Sequence, residues 1–250
     1  MIHEYSSIKF IDKTSPIHNT KNYIKSINEI NEWIESNIPF ELSRANEKEL
    51  ISKIPSNVDF TYFDENCNLS TFPRDDFKLL ETEGDYSCLI HSVLLAISKI
   101  YKKIPRDECC DSEEYGENIS LRSYIGKKYR IDKLLEFTKD DAKNKRMVKN
   151  IMRFLGNEHL EEIANNLGII IILFSHNEET YKCTGETIID NTVTPLGNRV
   201  KLEKTTPVIF IFGDGYHFQT MIYKKKCLMK LENAVKISDQ MNNLLKIFSS

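Results

Sequence analysis

The stretch from residue 206 to residue 223 reads TPVIFIFGDGYHFQTMIY and decides the fold class. It holds two apolar runs, 206–212 and 216–223, on either side of a Gly-Asp-Gly turn, a pattern typical of a β-hairpin. A further apolar run, GIIIILF at 168–174, begins with glycine and predicts a strand that is covered on both faces. Since helical patterns precede these strands, the order of elements predicts an α+β domain.

Apolar residues recur at helical spacing over much of the remaining chain. The predicted helices cover 20–38, a short segment from Asn46, 88–101, a segment that begins after Ser120, 139–155, 158–167 and 228–248. Residues 105–120 hold many carboxylates together with Pro and Gly, and they are predicted to form a loop. We therefore divide the chain into a helical N-terminal extension (1–72), a main domain (73–225) and a C-terminal amphipathic helix (226–250). We expect the two flanking parts to complete the core, and the alternative is that they add a surface for a partner protein.

The composition is that of a globular protein. With 250 residues, 40% of them hydrophobic and 28% charged, the chain suits one domain with an extension or two small domains. The formal net charge is -3, and basic residues are interleaved with acidic ones, which argues against a nucleic-acid partner. The longest apolar run is far shorter than a membrane span, and the N-terminus lacks the layout of a signal peptide. These observations predict a cytoplasmic protein with no membrane span.

One cysteine stands at a position suited to chemistry. The six cysteines lack C-x-x-C spacing, which predicts free thiols and no metal site. Cys88 follows the polar turn EGDYS and begins a helix, where the helix dipole and unpaired N–H groups favour the thiolate and lower its pKa. The predicted oxyanion loop consists of Asp85, Tyr86, Ser87 and Cys88. The alternative is an inert core cysteine, which is the favoured reading for any cysteine considered alone.

A cysteine nucleophile needs a base, and His217 is the best-placed histidine of the chain. It opens the second strand of the hairpin directly after the turn, at the rim of the sheet. Gln219 shares its face, so the Gln219 side-chain oxygen is placed to accept the Nδ1–H of His217 and leave Nε2 to face the thiol. His91 lies within the helix that Cys88 begins, and we expect it to be a packing or hydrogen-bonding group.

Three sequence blocks resemble those of a known family. In chain order they are GDYSCLIHSV (84–93), LGNEHLEEIANNLGIIIILF (155–174) and TPVIFIFGDGYHFQTMI (206–222). They resemble the signature blocks of the ovarian tumour (OTU) family of papain-like cysteine proteases. The resemblance implies a mostly antiparallel central sheet between helices. It also implies Cys88 as nucleophile, His217 as general base and acid, and Asp85 as the turn residue that shapes the oxyanion loop.

Two residues depart from the family pattern. Tyr86 stands where the family usually has glycine, which gives the loop less backbone freedom. Gln219 stands where the family usually has Asn or Asp, a longer and uncharged group that stabilises an imidazolium less. The third catalytic residue is therefore open between Gln219, Asp85 and an acidic residue from elsewhere in the chain.

The resemblance implies a deubiquitinase that cleaves after the C-terminal Gly-Gly of ubiquitin through a thioester, without metal or cofactor. The implied partners are ubiquitin, polyubiquitin chains or ubiquitin-like modifiers, and Tyr86, Tyr216 and Phe218 are candidate walls of the channel for the Gly-Gly tail. The alternatives are another papain-like protease that acts on peptides and a catalytically inactive ubiquitin-binding module. Abundant Ile, Lys and Asn suit an AT-rich genome, such as that of an intracellular bacterium or virus whose protein acts in the host cytosol.

Overall fold

A computed structural model describes residues 20–38, 51–53, 73–138, 142–177, 190–196, 203–214 and 217–246. The helices within these ranges are α1 (Thr20–Asn37), α2 (Cys88–Ile97), α3 (Leu121–Tyr129), α4 (Leu135–Phe137), α5 (Ala142–Lys149), α6 (Asn157–Leu167), α7 (Leu231–Ala234) and α8 (Asp239–Lys246). A π-helical turn, Arg130–Leu134, joins α3 to α4, and 3-10 turns cover Arg74–Asp76 and Tyr101–Lys103.

The strands in the described ranges form one large sheet and one small hairpin. They are β1 (Ile51–Lys53), β2 (Phe77–Leu80), β3 (Cys109–Ser112), β4 (Gly116–Ser120), β5 (Ile170–Asn177), β6 (Asp190–Leu196), β7 (Pro207–Gly213), β8 (Phe218–Tyr223) and β9 (Leu228–Lys230). The large sheet has the order β1-β2-β8-β7-β5-β6, and β9 pairs with β7 beside β8. Only β5 and β7 run parallel among these pairs, which confirms the α+β class and the mostly antiparallel sheet.

The hairpin predicted from residues 206–223 is present. β7 and β8 pair antiparallel, and Gly213 lies opposite Phe218 at the end of the ladder. Along β7 alternate side chains enter different cores: Ile209 and Ile211 face one, whereas Phe210 and Phe212 face the other. All of these side chains are buried, and each contributes about 1.5–3 kcal/mol to folding. The strand is therefore covered on both faces, because helices pack on each side of the sheet.

Helix α2 belongs to the first core and is buried along its whole length. All ten of its residues are buried, in line with its almost wholly apolar sequence. The hydroxyl of Thr220 on β8 donates a 2.6 Å hydrogen bond to the backbone oxygen of Ser92, so a polar contact fixes the helix against the sheet. This packing places the first residue of α2, Cys88, next to the start of β8.

The C-terminal segment differs from the single amphipathic helix that its periodicity predicts. It forms β9, α7 and α8 instead. The reason is that β8 pairs with only one half of β7, and β9 pairs with the other half, Pro207 to Ile209. Met241 and Leu245 are buried in the second core, so the expectation that this segment completes the core is confirmed.

The prediction of a loop at 105–120 is wrong, because β3 and β4 form an antiparallel hairpin in this acidic segment. Its residues are mostly exposed, so no alternation of polar and apolar side chains marks the strands. β6 lies in a mostly polar stretch for which the sequence predicts no strand. The cap that Ser120 was expected to provide for α3 is confirmed, since its side chain accepts a hydrogen bond from the Ser123 N–H.

Parts of the N-terminal extension join the main core. Ile30 and Ile34 of α1 are buried in the first core, and β1 pairs with β2 at the edge of the sheet. Most of the short helix expected from Asn46 lies outside the described residues. The boundaries of the three predicted segments stay a prediction. None of the helices in the described ranges is long and apolar enough to cross a membrane.

Candidate active site

The structure places Cys88 at the first position of α2, with its side chain 2% exposed. The turn before it is built around Asp85, whose Oδ1 accepts a 2.8 Å hydrogen bond from the Ser87 N–H. The Cys88 N–H donates a longer bond, 3.3 Å, to the backbone oxygen of Asp85. The loop is thus held by hydrogen bonds to the main chain and the side chain of one aspartate.

The pKa of the Cys88 thiol is raised, contrary to the expectation from its helix N-terminus. Burial raises this pKa to about 11, and the nearby carboxylates of Asp85 and Asp214 also raise it. Hydrogen bonds from the backbone N–H groups of Phe218 and Leu89 lower it, but they do not balance the loss of water. The sulfur is therefore protonated at neutral pH, so any reaction at this thiol would first require a base to remove the proton.

His217 stands directly before β8 and is joined to Asp214 by two hydrogen bonds. Its N–H donates a 2.6 Å hydrogen bond to Asp214 Oδ1, and the Asp214 N–H donates a 3.1 Å bond to the His217 oxygen. The backbone of the next residue, Phe218, lies near enough to Cys88 to lower the pKa of its thiol. The fold therefore brings Cys88 and the His217–Phe218 peptide together from distant parts of the sequence.

The imidazole of His217 is held through Nε2, which lies 2.9 Å from Thr82 Oγ1. The expectation that Nε2 stays free to face the thiol is therefore wrong. Within the described part of the chain, Gln219 makes no hydrogen bond to His217. Burial lowers the pKa of His217, as does nearby His91, while Asp214, Glu81 and Asp85 raise it. The net effect keeps the ring neutral at pH 7, the form that a general base requires.

Asp85 is engaged by His91 rather than by His217. Its Oδ1 lies 2.9 Å from His91 Nε2, and His91 Nδ1 lies 2.6 Å from the Tyr101 hydroxyl. Although burial raises the pKa of Asp85, the charge and hydrogen bond of His91 and the Ser87 N–H lower it to about 2. His91 is wholly buried and forms hydrogen bonds on both ring nitrogens, which confirms it as a packing and hydrogen-bonding group.

The Tyr86 position is fixed by two contacts. Its backbone oxygen accepts a 3.2 Å hydrogen bond from Arg130 Nη1, and its ring lies 4.9 Å from the ring of Phe154. Arg130 is buried and donates to five backbone oxygens in the described part of the chain. The other four oxygens belong to Met147, Val148, Asn150 and Arg153. Arg130 thereby ties the cysteine loop to α5 and the segment that follows it.

Thr82 and Arg130 contact the candidate site, and the sequence predicts neither of them. Thr82 lies two residues beyond β2 in a polar stretch, and Arg130 is one of many basic residues in a helical segment. No local pattern singles out either of them. Of the candidate channel residues, Tyr216 lies outside the described residues. The ring of Phe218 packs on the first core and comes close to Gly213, so in this region the Phe218 backbone is what adjoins Cys88.

A steric prediction follows from the close contact between α3 and His91. A Cβ built on Gly126 would lie 2.1 Å from Cε1 and 2.8 Å from Nδ1 of His91. His91 is held at both ring nitrogens, so it cannot move aside freely. We expect Gly126→Ala to lower the free energy of unfolding by about 1–3 kcal/mol, although alanine favours helix by about 1 kcal/mol. Urea denaturation measures this change.

The matched control is Gly84→Ala. A Cβ built on Gly84 meets nothing within 4 Å, so we expect a change within about 0.5 kcal/mol. An unfolding free energy for Gly126→Ala equal to or above that of the unaltered protein would contradict the steric account of His91.

Solved structures of OTU domains are structurally similar to this chain. An OTU domain in complex with ubiquitin has a TM-score of 0.37 and 14% identity, and the match covers 72% of this chain and 90% of that chain. The Hazara virus OTU bound to ubiquitin has a TM-score of 0.35 and 13% identity, and the match covers 58% of this chain and 80% of that chain. An OTU deubiquitinase from Wolbachia pipientis wMel bound to ubiquitin has a TM-score of 0.34 and 10% identity, and the match covers 61% of this chain and 99% of that chain. No protein-family model and no curated protein sequence matches the chain.

Proposed function

We propose that this chain is a thiol-dependent deubiquitinase, with Cys88 as nucleophile and His217 as general base and acid. The observation that carries the proposal is the position of the helix-terminal thiol of Cys88 beside the His217–Phe218 segment, whose backbone lowers the pKa of the thiol. The order of the three sequence blocks, 84–93, 155–174 and 206–222, adds the ubiquitin specificity as an implication of the family resemblance. Ubiquitin conjugates occur in the eukaryotic cytosol, which is where we place the activity.

The first half of the reaction is acyl transfer to Cys88. Neutral His217 takes the thiol proton, and the sulfur attacks the carbonyl of the terminal glycine of ubiquitin. The oxyanion that forms needs N–H donors, and the long 3.3 Å bond between the Cys88 N–H and the Asp85 oxygen is the one it would displace. Protonated His217 then gives its proton to the leaving lysine amine, and the acyl group remains on sulfur as a thioester.

The second half of the reaction is hydrolysis of the thioester. Water attacks the same carbonyl, with His217 again accepting the proton, and the sulfur leaves and regains its proton from His217. Free ubiquitin is released, and the thiol and the imidazole return to their neutral starting forms. The cycle uses only side chains and backbone groups of the chain, together with one water molecule.

The experiment that tests the proposal uses a ubiquitin molecule whose C-terminus carries an electrophile. We expect it to label Cys88, with the site identified by peptide mass spectrometry, and we expect cleavage of at least one member of a panel of differently linked diubiquitins. Labelling by an electrophilic peptide mimic alone would favour a peptide-directed papain-like protease. Ubiquitin binding without labelling or cleavage would favour an inactive binding module, and either result contradicts the proposal.

The pH dependence of kcat/KM should follow the two pKa shifts. The Cys88 pKa is raised to about 11 and that of His217 is lowered from 6.5, so both groups are neutral across physiological pH. As pH falls, His217 gains a proton and can no longer act as base. We therefore expect a flat profile near neutrality and an acid limb with its midpoint below pH 6.5, measured with a fluorogenic ubiquitin substrate.

A midpoint above pH 6.5 would contradict this prediction, because it would mean that carboxylates such as Asp214 outweigh the burial of His217. The rate of substrate hydrolysis by hydroxide alone, measured without protein at each pH, is the control.

A further inference from the structure

The hydroxyl of Thr82 makes two short contacts at the candidate site. It lies 2.6 Å from the backbone oxygen of Phe218 and 2.9 Å from Nε2 of His217. Thr82 is buried, with 3% exposure, so water does not compete freely for these groups. A carbonyl oxygen can only accept, and a hydroxyl has a single proton to donate. The Thr82 hydroxyl therefore donates its proton to the backbone oxygen of Phe218.

The hydrogen bond from Thr82 to Phe218 determines which ring nitrogen of His217 carries the proton. Since Oγ1 donates to the Phe218 oxygen, it can only accept at its contact with His217, and Nε2 must carry a proton. In a neutral imidazole the other nitrogen, Nδ1, is then unprotonated. Nδ1 is the nitrogen that can take a proton from a thiol. The Thr82 contact thus selects both the tautomer and the orientation of the ring.

The sheet explains why Thr82 stands there. β2 and β8 pair antiparallel with Leu79 opposite Met221 and Leu80 opposite Thr220. Continuing this register by two residues places Thr82 opposite Phe218, next to His217. The Thr82 hydroxyl bonds to Phe218 just beyond the last pair of the ladder, so the position of the side chain is set by two paired strands.

We propose that Thr82 is the positioning residue of His217, the role that the sequence left open between Gln219, Asp85 and another acidic residue. The inference rests on the proposed function, and it deepens that function by naming the group that orients the base. Gln219 makes no hydrogen bond to His217 within the described ranges, and Asp85 is bonded to His91 and Ser87. A neutral hydroxyl takes the place of the amide or carboxylate that usually orients a catalytic imidazole.

The test compares Thr82→Val, which removes the hydroxyl at nearly constant volume, with Thr82→Ser, which keeps it. We expect Thr82→Val to lower kcat on a fluorogenic ubiquitin substrate by about 10- to 100-fold with KM changed less than about threefold, since orientation of the base acts on the chemical step. Thr82→Ser should retain kcat within about threefold. Gln219→Ala is the matched control at the other candidate position. It should also retain kcat within about threefold.

A second readout does not depend on ubiquitin. In protein labelled with 15N-histidine, the proton on Nε2 of His217 should be protected from solvent exchange and visible by NMR, with His217→Ala used for assignment. We expect the signal to persist in Thr82→Ser and in Gln219→Ala and to be lost in Thr82→Val. If Thr82→Val does not fold, Thr82→Ala takes its place, since it also removes the hydroxyl.

The outcomes separate the two proposals. A kcat and a proton signal unchanged by Thr82→Val would overturn the role of Thr82. An equal loss of kcat and of melting temperature in Thr82→Val and Thr82→Ser would also overturn it, because that pattern indicates a purely structural role. If the unaltered protein cleaves no ubiquitin substrate, the proposed function fails, and the NMR signal still decides whether Thr82 holds His217.

Discussion

Cys88→Ala is expected to abolish cleavage of diubiquitin, with a loss of about 10⁴-fold or more in kcat. The substitution removes the atom that forms the thioester, and within the proposed mechanism the chain offers no second nucleophile at this position. The folded state should persist, because Cys88 is a small buried residue at the end of a helix that the core holds along its length. Ubiquitin binding should therefore remain measurable by calorimetry while cleavage is lost.

Cys109→Ala is the matched control for this prediction. Cys109 is an exposed thiol on the small β3–β4 hairpin, so its removal tests for general effects of losing a thiol. We expect this variant to cleave at the rate of the unaltered protein. Cleavage by Cys88→Ala within tenfold of the unaltered rate would remove Cys88 from the role of nucleophile and, with it, the proposed function.

Arg130→Met is expected to lower the free energy of unfolding by about 3–5 kcal/mol. The guanidinium donates to five backbone oxygens, and methionine fills part of the volume but donates to none. Buried oxygens left without a donor each lose a favourable contact that water cannot fully replace. Burial lowers the pKa of Arg130 to about 10, partly opposed by the carboxylate of Asp85, so the group is still charged at neutral pH.

Two comparisons sharpen this prediction. Arg146→Met, on the exposed face of α5, should change stability by less than about 0.5 kcal/mol. Arg130→Lys keeps the charge but not the planar fork, so we expect it to recover only part of the loss. Urea denaturation of the three variants measures the effect. A stability loss for Arg130→Met no greater than that for Arg146→Met would show that the five hydrogen bonds contribute little.

Tyr86 adds a side-chain contact to the cysteine loop. Its ring packs on Phe154, a contact that a glycine could not make, whereas its backbone oxygen accepts a hydrogen bond from Arg130, as a glycine oxygen also would. The neighbouring Ser87 N–H is occupied by the Asp85 carboxylate. A non-glycine residue at this position gives the loop less freedom to change its peptide orientation. The 3.3 Å bond from the Cys88 N–H to the Asp85 oxygen is the one that the oxyanion would displace in the proposed mechanism.

Local patterns predicted the parts of the fold that one segment specifies by itself. The Gly-Asp-Gly turn between two apolar runs predicted the β7–β8 hairpin, and the run at 168–174 predicted β5, because burial on both faces requires apolar residues throughout. Local patterns did not predict β9. Its three residues lie within a helical pattern, yet they pair with the half of β7 that β8 leaves open. Pairing with a distant strand is not visible in local periodicity.

At the candidate site, too, local features could be predicted from the sequence, whereas contacts between distant segments could not. The sequence by itself determined the α+β class and named Cys88 and His217 as candidates, since a helix N-terminus and a strand start are local features with known chemistry. Only the tertiary structure decided what surrounds them. Burial and two carboxylates raise the thiol pKa, five carbonyls gather around Arg130, and the register of β2 on β8 brings Thr82 to the imidazole. Desolvation and hydrogen bonding depend on distances between residues far apart in the chain, and these distances exist only once the sheet and helices have packed.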